Sequence, residues 1–213
     1  MENTPKPSTL ANALYADVRR LLKKYKCDFG LHQVRAQFMG AIASPVTTVN
    51  PMQELSSLWH GALPKMKSSE SAEELVRVMT MGLWNKLASQ IGPERPFELT
   101  KYSGINSDAE LRYFAQVKCD ELESFLTGYF QGEGSLTLTT EIDESIGILE
   151  DLAGMFAGIV QIPAKSNESE REIRLLMKEL QKLAEIAETE LNLVIQNTAE
   201  MRRYGGDPSR TLQ

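Results

Sequence analysis

Residues 166–204, "SNESEREIRLLMKELQKLAEIAETELNLVIQNTAEMRRY", decide the fold class. Ile173, Met177, Leu180, Ala184, Ala187, Leu191, Val194, Thr198 and Met201 follow at four–three spacing with no charge among them. A period near 3.6 places them on one face of a helix. The spacing predicts one helix from "SNESE" to about Tyr204, where "GGDPS" ends it. At a rise of about 1.5 Å per residue it spans roughly 50 Å, more than half of a small domain needs. A stripe of this kind is the seam of a coiled coil, and Ala184 and Ala187 at its middle let a partner helix approach closely. Ile173, Met177, Leu180, Ala184, Ala187, Leu191 and Val194 are therefore the candidate interaction surface. The sequence leaves two partners open: a second copy in a homodimer, or the rest of the same chain.

Helix signals also dominate upstream. Ser8 precedes Leu10, Leu14, Val18, Leu21, Leu22 and Tyr25. Asp28 is placed to cap a helix through Leu31, Val34, Phe38 and Ile42, ended by Pro45. Pro51 stands where a first helical residue would. Ser71 with Glu74, and Ser107 with Glu110, have the spacing of capping boxes. Thr140 is placed to cap a helix through Ile142, Ile146, Leu149, Leu152, Phe156 and Ile159, which Pro163 stops. "SLTLTT" (135–140) alternates like a strand but has no partner, so it is read as an extended connector. These signals predict an all-α, irregular bundle of about seven helices with a long C-terminal helix. "GPERPFELTKYSGINS" (92–107) is rich in breakers. The chain is thus one all-α domain, 1–213, that divides into helical halves 8–91 and 107–204 joined by a 92–106 linker.

Composition narrows the function classes. Hydrophobic residues make up 42% and charged residues 24%, which suits a packed core and excludes wholesale disorder. The longest apolar run, "LAGMFAGIV" (152–160), is too short to span a bilayer, and "MENTPKPSTL" lacks a signal-peptide pattern. With two cysteines there is no disulfide framework, so a soluble, cytoplasmic protein is expected. The net charge is −6, yet residues 1–40 carry +4 and the remainder −10. An acidic body argues against general nucleic-acid affinity. The basic segment "VRRLLKKYK" (18–26) is the exception, and a solvated helix face is its plainer reading.

No motif names a reaction. Cys27, His32, His60 and Cys119 lack the short pairings of structural zinc sites, and no Glu-x-x-His pair suits a diiron bundle. Phosphate-binding loops and the G-x-S-x-G elbow are missing. Gly128, Gly132 and Gly134 lie where glycine more often stops a helix. "EIDE" (141–144) falls in a first turn, where carboxylates offset the helix dipole. No catalytic, cofactor-binding or metal residue is nominated.

"FMGAIASPVTTVNPMQELSSLWHG" (38–61) resembles the YecA/YgfB family of small bacterial proteins. Phe38, Ala41 to Ser44, Pro51, Leu55, Leu58, Trp59 and Gly61 fall on its first block. "ELESFLTGYFQG" (121–132), with Phe125 and Gly128, resembles its second Phe-rich, Gly-containing helix. The chain departs from the pattern at Ala36 and Gln37, where the family often has His-Gly, and at Glu54, where it has Trp. It also lacks the Cys/His metal-binding tail of many members. The resemblance implies an all-helical fold and brings no catalytic residue or zinc.

With Gly40, Ala41 and Ala43 read as a close helix–helix contact, the expected function is a non-catalytic protein-interaction or regulatory role, with an unknown protein partner and no cofactor. Two alternatives stand beside it. One is a small-ligand protein or enzyme with a pocket between the halves, near Trp59, Trp84 and the 92–107 stretch. The other is nucleic-acid contact through 18–26.

Overall fold

Every regular element among the described residues, 13–46, 49–102, 107–132, 136–162 and 170–203 of the computed structural model, is helical. The order is α1 (Ala13–Lys24), α2 (Leu31–Ala43), α3 (Pro51–Ser57), α4 (Ser69–Val76), a π-helical stretch (Arg77–Trp84), α5 (Asn85–Ala88), α6 (Asp108–Phe130), α7 (Thr140–Gln161) and α8 (Glu170–Arg203). From Ser69 to Ala88 the helix does not break, so the described residues form seven helical runs, an all-α bundle with a long last helix. No helix among them is long and apolar enough to cross a membrane. The expected helix starts at Ser8 and the expected stop at Pro163 lie outside the described residues.

The start signals fared unevenly. Ser107 and Glu110 close a reciprocal box, each side chain accepting the other's backbone N–H at 3.2 Å. Pro51 opens α3 behind Asn50, whose Oδ1 accepts from Met52. Three expected caps are corrected. The residue before α2 is Gly30, whose N–H is held by Gln33 at 2.7 Å, while Asp28 lies outside the helix. Ser68 caps α4 in place of Ser71, its Oγ accepting from Ser71 N, while Glu74 pairs with Arg20 and Lys24. Thr139 rather than Thr140 caps α7.

α2 lies at the centre, buried nearly all round from Leu31 to Ala43. The burial takes in Arg35 and Gln37 as well as the apolar residues, and the main neighbour of α2 is α6. The two cross where both lack a side chain. A Cβ on Gly40 would stand 2.0 Å from the Phe125 carbonyl oxygen, and one on Gly128 would stand 2.0 Å from that of Gln37. Gly128 is therefore a crossing residue inside α6 and not a helix stop; the stop is Gln131, in the left-handed region at φ 51°. Helix C-termini leave carbonyls without partners. Arg202 of α8 donates to Ile42 O at 3.0 Å, and Arg112 of α6 donates to the Ile159, Val160 and Ile162 carbonyls at the end of α7.

The supposed linker is a buried strap in its central part. Phe97, Leu99 and Thr100 are at most 1% exposed. Irregular backbone in an interior needs partners for its polar groups, and helix side chains supply them. Asn192 accepts from Phe97 N at 2.8 Å and donates to Phe97 O at 2.9 Å. Glu188 accepts from Leu99 N, and Glu121 from Thr100 N. Helices from both sides of the strap share one buried apolar cluster.

Candidate functional site

The stripe nominated on α8 is occupied from within the chain. Ile173, Met177, Leu180, Ala187, Leu191 and Val194 are buried and Ala184 is half-buried, against α7 with help from α6 and α2. This face is a core face, because α7 folds back along α8 and covers it. The motif residues of 38–61 are structural as well. Phe38, Ala41, Leu55 and Leu58 are buried, and Phe38 meets Trp84 edge-on at 5.3 Å. Trp59 Nε1 donates to Tyr25 O at 3.0 Å. Gly61 takes φ 92°, a left-handed turn after α3 that only glycine adopts without strain. At two of the departures from the family pattern, Gln37 Nε2 donates to Ser57 Oγ at 3.0 Å, and burial pushes the Glu54 carboxyl up, with Gln37 opposing.

The scarce histidines and cysteines are dispersed. His32 Nε2 lies 3.3 Å from Asp120, and exposed His60 lies 3.4 Å from Asp28. Cys27 Sγ donates weakly to Leu58 O at 3.5 Å, and burial pushes its thiol up. Burial also pushes the Cys119 thiol up to about 12, the reverse of what a nucleophile needs. Among the described residues no group of three His, Cys, Asp or Glu is placed to hold a metal ion.

Periodicity gave no sign of the charged cluster under the strap. Lys118 and Glu121, 2% and 0% exposed at the side chain, pair at 2.9 Å one turn apart on α6. Lys118 Nζ donates to Thr100 O at 2.5 Å, and Thr100 Oγ1 donates to Glu121 at 2.6 Å. Burial works to raise the Glu121 carboxyl, but Lys118, Thr100 and Arg35 together hold it below the usual range. Arg35 donates to Glu98 O at 2.8 Å and lies over the Tyr15 and Phe97 rings. Among the described residues its Nε and Nη1 have no hydrogen-bond partner, so ring contact and the Glu121 charge offset its desolvation. These groups turn inward and bind the strap.

The face turned outward is on α7 and α8. Of ten exposed large hydrophobics among the described residues, seven lie on these two helices or at their shared end, among them Ile148, Met155, Leu176, Ile186 and Leu193. Scattered apolar residues need no explanation, whereas a concentration on one surface marks a contact. Spacing was the available signal. Leu176, Leu183, Ile186 and Leu193 repeat the four–three pattern on the flank of the buried stripe, interrupted by Glu179 and Glu190.

The basic segment 18–26 is partly neutralised in place. Arg20 pairs with Glu74 at 2.8 Å and with Asp17 at 3.1 Å, and Lys24 reaches Glu74 at 3.5 Å.

No family model, curated protein or solved structure matches the chain. The resemblance of 38–61 and 121–132 to the YecA/YgfB family rests on the quoted residues alone.

Proposed function

We propose that this chain is a non-catalytic interaction module that holds a protein partner on the outer face of α7 and α8. The observation that carries the reading is the exposed aliphatic surface of those two helices, with Met155 53% and Ile186 46% exposed. Two features support it. The buried Lys118 and Glu121 are engaged with one another and with the strap. Around the expected pocket between the halves, Phe38 packs against Trp84 and Phe97 is buried. YecA/YgfB-like membership, carried by packing residues, is compatible with this role and adds no chemistry.

Site-specific photo-crosslinking in the native cell tests the reading. A crosslinker at Ile186 should capture a discrete protein partner, while one at Met52, exposed on α3, should not. Equal capture from both positions, or none from Ile186, would remove α7–α8 as the binding face.

A further inference from the structure

Two outer stripes run side by side along the α7–α8 hairpin. Ser145 Oγ donates to Glu190 Oε2 at 2.8 Å, which marks the flank of each helix that faces the other. Early α7 meets late α8 at this bond, so the helices are antiparallel. From Ser145, steps of three and four lead along α7 to Ile148, Leu152, Met155 and Ile159. From Glu190, the same steps lead back along α8 to Ile186, Leu183, Glu179 and Leu176. Positions three and four apart share a helix face, so on each helix a second aliphatic row, shared with the core at Leu152, flanks the core row. A helix with two such rows is suited to pack between two neighbours. Here the core side is filled, while Ile148, Met155, Leu176 and Ile186 remain 40–53% exposed.

Charge selects the occupant. Beside the α7 row stand Glu141, Glu144 and Asp151, each three or four positions from Ser145 or Ile148, and α7 has no Lys or Arg. Along the α8 row stand Glu179 and Glu190, and the neighbouring cation Lys182 is paired with Glu179 at 2.9 Å. A second copy offering the same face would set these carboxylates against their own kind. The chain's own basic helix, α1, has its apolar side buried by Tyr15, Val18, Leu21 and Leu22. We infer that the furrow between α7 and α8 takes an amphipathic helix of another protein, with an aliphatic row for the furrow and Lys or Arg on its flanks. This is recognition of a helix in a groove, with charge complementarity setting orientation and partner choice. It rests on the interaction reading above and adds the chemistry of the partner.

Two synthetic helices of about three heptads test it, alike in their Leu and Ile rows and differing only in Lys or Glu flanks. Binding to the full chain is followed by fluorescence anisotropy at low and high salt, with sedimentation for self-association. The Lys-flanked helix should bind, weaken as salt rises, and lose at least roughly tenfold in affinity with Met155→Ser/Ile186→Ser. These side chains are half-exposed, and circular dichroism confirms that the variant stays folded. Equal binding of both helices, or preference for Glu flanks, overturns the basic partner and leaves the face intact. A dimer of the chain broken by Met155→Ser/Ile186→Ser shows a second copy as occupant and also overturns it. Binding of neither helix, without a dimer, overturns the inference; the interaction reading then falls only if crosslinking from Ile186 fails too.

Discussion

Gly40 and Gly128 face each other across the α2–α6 crossing, each with a carbonyl oxygen of the other helix 2.0 Å from where its Cβ would be. The atom met is backbone in both cases, so no side chain can swing aside. Gly40→Ala and Gly128→Ala should each destabilise by about 1–3 kcal/mol or more, despite the helix preference for alanine. Urea unfolding measures this. An unchanged midpoint would mean that the crossing is looser than described.

The same substitution should have the opposite sign on α7. A Cβ at exposed Gly154 meets nothing within 4 Å. With no steric term, helix propensity decides, and Gly154→Ala should stabilise by about 0.5–1 kcal/mol. A lower melting temperature would show that the surroundings of Gly154 are tighter than described.

Glu121 faces two buried cations, Lys118 and Arg35. Its removal should hurt more than removal of Lys118. Glu121→Gln strands both cations and should cost about 3–5 kcal/mol, whereas Lys118→Met leaves Arg35 and Thr100 to hold the carboxylate. The double variant Lys118→Met/Glu121→Leu should lose clearly less than the sum of the single losses. Strict additivity in denaturant unfolding would show that the pair is not coupled.

Glu54 sets a pH dependence of definite sign. Burial raises its folded-state pKa above the ordinary 4.5. The folded chain therefore binds the proton more tightly than the unfolded one. Its stabilising contribution is full below the unfolded value and is lost as pH rises through the folded one. Glu54→Gln, neutral throughout and of the same shape, should be more stable than wild type near pH 7 and lose that advantage near pH 4. A constant difference at both pH values would show that the carboxyl is solvated.

Local signals carried most of the helices. Ser107, Glu110 and Pro51 act through bonds within a few residues, so their spacing is readable, and the small residues of "GAIAS" announced the close crossing at Gly40. The strap was not legible. "GPERPFELTK" has breakers throughout, and its backbone partners, Asn192 and Glu188, lie 95 and 89 residues further along. Pattern also cannot say which surface covers a stripe, so the four–three row of α8 left homodimer and self-packing open. The outer row with Ile186 was overlooked because Glu179 and Glu190 interrupt it beside an uncharged row.

The bonds from Phe97 to Asn192 and from Ile42 to Arg202 set an order of events during synthesis. The ribosome releases α1 to α5 and the strap well before α8 exists. Until Asn192 and Glu188 emerge, Phe97 and Leu99 lack the side chains that complete their backbone bonding, and the end of α2 lacks Arg202. Until α6 arrives, α2 presents a bare apolar surface. A chain truncated before residue 188 would lack all three of these bonds, so it should be less stable and more easily cleaved by protease than the full chain.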